Sequence, residues 1–132
     1  MKKKTKQFSI SLANKSGQLS QVTRCLADAK INIMALSVAD TAEQCLLRLV
    51  VDKPGEAAKL LKDCPVTVAE TDVLLIELPN TVGALAKAAD RLRSKRVNAN
   101  YIYGSTGRGR AKTFVVVGAA NLNAASKALV RL

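Results

Sequence analysis

The chain has 132 residues, 48% of them apolar and only 3% aromatic, with 21 Lys and Arg against 10 Asp and Glu for a net charge of +11. This is apolar enough for a packed core, and long enough for one ordinary domain or two small ones. Histidine is absent, which removes the commonest acid–base catalyst, the His-based triads and the commonest transition-metal ligand.

The chain opens with four lysines in its first six residues. Without apolar anchors, Lys2, Lys3, Lys4 and Lys6 are expected to form a mobile, solvated arm. They do not begin a signal peptide, because Gln7–Ser11 alternates instead of forming a continuous apolar run. No export signal or membrane span is read, and the expected location is the cytoplasm. Phe8, Ile10 and Leu12 then alternate with polar or small residues as a half-buried strand. A helix follows over about 17–30, with Leu19, Val22, Leu26 and Ala29 on its buried stripe. Residues 31–38 read as a second strand, Asp40–Glu43 as a turn and 45–51 as a third strand. Pro54 opens a short helix to Lys62, and 66–69 is a fourth strand. The order is β-α-β-β-α-β, a split ferredoxin-like unit.

The same order begins again after a two-residue hinge near Glu70-Thr71. A strand over 73–78, a helix over 82–95 and a strand over 97–103 lead to a hairpin tip at 104–110. A strand over 112–117 and a helix over 123–130 follow, leaving no residues for a fourth strand. Val73–Leu78 is therefore expected at a sheet edge, or paired by another chain, since proteins rarely leave an edge bare. The two copies are in register. Asn14-Lys15-Ser16-Gly17-Gln18-Leu19 recurs 66 positions later as Asn80-Thr81-Val82-Gly83-Ala84-Leu85. Phe8, Ile10 and Leu12 fall on Leu74, Ile76 and Leu78; Ile31-Asn32 falls on Val97-Asn98. The chain reads as two modules, 1–70 and 71–132, each too small to be comfortably stable alone.

The repeated turn carries the chemistry. Glycine near a helix start permits close approach to N–H groups that lack partners within the helix and carry partial positive charge, so the spot suits a carboxylate. An Asn opens the next strand in each copy, and its side-chain oxygen can accept from an ammonium. Two helix-start turns in register establish a shared fold; a ligand needs a further argument.

With its element order and paired turns, the sequence resembles the ACT-domain family. Ser16-Gly17-Gln18-Leu19 and Val82-Gly83-Ala84-Leu85 stand where that family carries Pro-Gly-x-Leu, and Ile31-Asn32-Ile33 and Val97-Asn98 match its second-strand start. The resemblance covers residues 7–132. It implies an α+β fold of two ferredoxin-like modules, the second lacking its last strand, with sheets side by side and helices on one face. It also implies a regulatory protein that binds a small amino acid between the Gly turn of one module and the second strand of the other. The residues so implied are Asn14, Lys15, Ser16, Gly17, Gln18 and Leu19, Asn80, Thr81, Val82, Gly83, Ala84 and Leu85, and, on the strands, Asn32, Ile33, Met34, Asn98, Ala99 and Asn100. The more polar first turn is the favoured site. A homo-oligomer or an enzyme partner is implied, with no cofactor and no metal.

Two rival readings stand beside this one. A ligand-free interaction subunit needs the same sheet edge. Nucleic-acid binding suits the charge, but base-stacking modules need exposed aromatics on central strands, and Tyr101 and Tyr103 are the only candidates. Catalysis is not expected, because no Ser or Cys stands beside a base and the aspartates are scattered. Cys25, Cys45 and Cys64 fit neither a zinc site nor a redox pair, Cys25 and Cys45 reading as core residues and Cys64 as a loop residue.

Overall fold

A computed structural model describes residues 2–13, 15–40, 45–105, 109, 111–130 and 132. Its elements run β1 (Lys2–Leu12), α1 (Lys15–Asp28), β2 (Ile33–Asp40), β3 (Cys45–Val51), α2 (Pro54–Lys62), β4 (Thr67–Pro79), α3 (Ala84–Ser94), β5 (Ala99–Ser105), β6 (Lys112–Ala119) and α4 (Leu122–Ala128). The class is α+β, as expected. The turn expected at 40–43 lies, from Thr41 on, outside the described residues, as do Thr106, Gly107, Arg108 and Arg110 of the expected hairpin tip.

The chain forms two compact units, one of Lys6–Thr71 and one of Met1–Thr5 with Asp72–Leu132. In the first, β3 lies between β2 and β1. Phe8 pairs antiparallel with Leu49 and Leu12 with Cys45, while Leu36 pairs with Leu49 and Asp40 with Cys45 across the other ladder. Because side chains alternate along a strand, Phe8, Ile10, Leu12, Leu47, Leu49 and Val51 share one face. Val22 and Leu26 of α1 and Ala57 and Leu61 of α2 close a core over them. In the second unit β6 lies between β4 and β5. Leu74, Ile76, Leu78, Val115 and Val117 share a core with Ala88 and Leu92 of α3 and Ala125, Ala128 and Leu129 of α4. The same repeat positions, Phe8 and Leu74, Ile10 and Ile76, Leu26 and Leu92, thus build both cores.

The helix ends repeat as faithfully. Lys30 and Arg96 both adopt left-handed backbone angles, φ 60° and 56°. Lys30 N–H donates to Ala27 O and Ile31 N–H to Leu26 O; Arg96 N–H donates to Arg93 O and Val97 N–H to Leu92 O. This paired bonding satisfies the last carbonyls of α1 and α3 and turns the chain into its second strand. The buried Ile31 and half-buried Val97 lock each turn onto its core.

Three expectations are corrected. The lysine arm is strand: β1 begins at Lys2, with Thr5 and Gln7 buried while Lys2, Lys3, Lys4 and Lys6 point outward. Lys2 Nζ donates to Ser126 O at 2.6 Å. Lysine stems tolerate a strand surface as long as their ammonium groups reach water. No strand follows α4 in the second copy, as expected, and Lys2–Thr5 belongs to that unit instead. Accordingly Val73–Leu78 is not an edge, because β4 has β6 on one side and β1 on the other. Finally, Glu70-Thr71 is strand: β4 runs unbroken from Thr67 to Pro79, with Glu70, Thr71 and Asp72 exposed.

Candidate ligand site

The two glycine turns, alike in sequence, differ in structure. In the second copy β4 ends at Pro79 and Asn80 N–H donates to Ala111 O at 2.8 Å, holding the turn to the chain entering β6. Gly83 is the N-cap of α3 with φ 86° and ψ −1°, and no side chain caps the helix there. A positive φ is the conformation glycine adopts without a steric cost. Ala84 N–H is taken by Thr81 O at 3.2 Å. The next N–H groups of α3 have no earlier helical carbonyl to bond, so this end remains electrically positive.

In the first copy α1 already begins at Lys15, so Gly17 sits inside its first turn. Gln18 Oε1 accepts the Ala13 N–H at 2.6 Å. That side chain tethers the helix start to the end of β1, a bond that Ala84 cannot make in the second copy. The consequence reaches the matched leucines. Leu19 packs on the first core, whereas Leu85 is 55% exposed. Ser16 is exposed, and Asn14 lies outside the described residues.

Beside the second turn lies an open cavity of about 540 Å³. Leu78 and Pro79 end β4, Asn80 and Thr81 form the turn, and Ala84 and Leu85 begin α3; Ile102, Tyr103 and Gly104 of β5 and Thr113 and Val115 of β6 complete it. It unites Asn80, Thr81, Ala84 and Leu85 of the expected site. Gly83 backs the turn without lining the cavity, and the Val82 side chain is fully exposed.

The expected strand residues lie elsewhere. Asn98 and Asn100 are exposed, and Ala99 packs against the second core. In the first copy Asn32 N–H donates to Asp52 Oδ1 at 2.9 Å while Asp52 N–H donates to Asn32 O at 3.0 Å, a reciprocal lock between strands. Ile33 packs on the first core, and Met34 lies half-buried where the β2 register shifts. The cavity instead uses Ile102–Gly104, further along β5, which the sequence reading missed. Gly104 was the available signal. A glycine inside a strand marks close backbone approach, and a Cβ there would sit 2.5 Å from Phe114 O.

Tyr101 and Tyr103 stack with ring centroids 6.3 Å apart at 25°. The Tyr101 ring covers Gly118, where a Cβ would come within 2.2 Å of it. Both tyrosines are half-buried, so they are packed into the sheet surface and do not form an open platform. Cys64 is no solvated loop thiol: its Sγ lies 3.6 Å from Cys25 Sγ. Burial pushes the Cys64 thiol above its ordinary range, helped by the hydrogen bond and charge of Cys25 and by Asp63. Among the described residues no three His, Cys, Asp or Glu side chains are grouped to hold a metal ion. No helix among them is long and apolar enough to cross a membrane.

A strand that ends in a turn, a helix resting on antiparallel strands, and the same unit used twice define a tandem ferredoxin-like domain. The model of the ACT domain pair matches residues 3–130, and the chain belongs to that family. It is similar to protein BT0572 from Bacteroides thetaiotaomicron, at 39% identity over 96% of this chain and 86% of that one, with a TM-score of 0.87. The ligand-free regulatory subunit of aspartate kinase from Thermus thermophilus shares the fold at 17% identity, covering 96% and 93% of the two chains, TM-score 0.69. So does part of E. coli aspartokinase III, solved with lysine and aspartate, at 16% identity over 97% of this chain and 30% of that one, TM-score 0.62. No curated protein matches the sequence.

Proposed function

We propose that this chain is a regulatory, non-enzymatic amino-acid sensor of the cytoplasm, acting as a homo-oligomer or on an enzyme partner. The observation that carries the reading is the cavity between the Asn80–Leu85 turn and Ile102–Gly104 of β5. Its volume falls within the range of small-molecule sites. It adjoins a helix N-terminus that no side chain caps, and the ligand carboxylate takes the N–H groups of that turn. Ammonium and carboxylate are common to every free amino acid, so the turn recognises the class and the rest of the cavity selects the member. The aspartate kinase regulatory subunits that share the fold support a regulatory role. The lysine and aspartate complex of aspartokinase III supports an amino acid as ligand.

Calorimetric titration of the intact chain with each of the twenty amino acids tests this. At least one is expected to bind below millimolar concentration. If none does, the chain works as a ligand-free interaction subunit. Its surface for that role would be β2, an edge strand on which Leu36 and Val38 are 56% and 47% exposed.

A further inference from the structure

The chemistry of the cavity wall narrows the ligand further, provided that the sensor reading holds. Leu78 of β4 and Val115 of β6, on paired strands, are buried lining residues, 2% and 7% exposed. Leu85 of α3 and Ile102 of β5, which also line the cavity, are 55% and 38% exposed. Pro79 and Ala84 add apolar surface next to the turn. The polar members, Asn80, Thr81, Tyr103 and Thr113, are all uncharged, and among the described lining residues there is no ionised side chain. The nearby ion pair, Lys112 Nζ to Glu77 Oε1 at 3.6 Å, borders a different cavity, shared with Lys2, Leu129 and Val130.

We infer that this cavity selects an amino acid whose side chain is uncharged and apolar, in the size range of valine to phenylalanine. An ammonium or carboxylate on the ligand side chain would lose its water against Leu78, Leu85, Ile102 and Val115 without gaining a counter-charge from the described lining residues. Burying an unpaired charge is far costlier than burying a polar group that keeps a hydrogen bond. An aliphatic or aromatic side chain gains from the same wall. Full burial of a Val, Leu or Phe side chain corresponds to roughly ten- to a hundredfold in affinity. The chain's net charge of +11 points the other way, towards an acidic ligand. Exposed charges act through water and are screened at physiological salt, whereas the lining touches the ligand directly, so the lining weighs more on the side chain than the net charge does. Gly104 contributes by absence. A side chain there would collide with Phe114 O, and without one the β5 wall stays open to the ligand.

The test is calorimetry on the full chain with each of the twenty amino acids, repeated on Ile102→Ala and Leu85→Ala. Both positions are partly exposed, so neither change should cost the fold. The tightest ligand is expected among valine, leucine, isoleucine and phenylalanine, at least tenfold ahead of lysine and aspartate. Each variant should weaken that ligand about three- to tenfold while leaving alanine binding unchanged. Lysine, aspartate or threonine binding tightest overturns the inference and leaves the sensor reading standing. Apolar ligands that bind equally well to both variants place the side chain elsewhere and also overturn it. Binding of none of the twenty amino acids overturns both.

Discussion

The turn at Gly17 and the turn at Gly83 show how one spacing serves two structures. In the first, a glutamine reaches back to the end of the preceding strand, the helix starts early and glycine is one of its residues. In the second, alanine replaces that glutamine, the helix starts at Ala84 and glycine stands outside it with φ 86°. In the first copy one side chain ties the helix to the end of the preceding strand; in the second, no such tie exists from the matched Ala84. Alongside this difference, Leu19 packs inward while Leu85 borders a cavity. A repeated motif therefore brings a repeated fold but not a repeated local structure at the turn.

The two copies can be tested both where they are alike and where they differ. The largest effects should come from the shared cores. Leu26→Ala and Leu92→Ala remove matched buried leucines, 0% and 6% exposed. Each should cost about 2–5 kcal/mol in urea unfolding. A change under about 1 kcal/mol in either would mean that unit lacks the core described.

The glycines come next, and here the signs should be opposite. Gly83→Ala forces a side chain into the left-handed region, with no neighbour within 4 Å to add a clash. It should destabilise by about 1–2 kcal/mol from backbone strain alone. Gly17→Ala, inside a helix, should stabilise by roughly 0.5–1 kcal/mol. Thermal melts read both, since about 1 kcal/mol moves Tm by roughly 3–6 °C at this size. Equal signs would erase the distinction between the turns. At the other end of the same helices the copies should agree. Lys30→Gly and Arg96→Gly relieve positive φ at matched ends and should each raise Tm, by roughly 1 kcal/mol equivalent.

The smallest effect is chemical. Thiolate is the reactive form of cysteine, and burial raises the Cys64 pKa. At about pH 8, near the ordinary thiol pKa, Cys64 should therefore be alkylated by iodoacetamide more slowly than free cysteine. The gap should narrow as pH rises through its raised pKa. Peptide mass mapping of the alkylated chain reads this. A rate equal to that of free cysteine under those conditions would contradict the half-buried contact with Cys25.

Most of the fold was legible because hydrophobic alternation and the 66-residue register are set by the cores, and Phe8, Ile10, Leu26 and their partners do in both units what their spacing implies. What failed involved polar residues in strands. Lys2–Lys4 and Glu70-Thr71 read as solvent-facing, which suggests an arm and a link, yet an exposed strand surface accommodates both. Part of the cavity wall was legible for a similar reason: Asn80, Thr81, Ala84 and Leu85 follow from the turn and line it, whereas Asn98 and Asn100 are exposed away from it. The wall of the cavity is apolar Ile102 with Gly104, and its position depends on where β5 meets β6, a non-local pairing that no short motif encodes.

The central claim is that an amino acid binds at the second turn and not at the first. Amide chemical shifts in an NMR titration with the tightest-binding amino acid separate the two directly. Saturable shifts are expected at Thr81–Leu85 and Ile102–Gly104 while Gly17–Leu19 stay unmoved. Shifts confined to Gly17–Leu19, with the second turn silent at saturation, would contradict the claim.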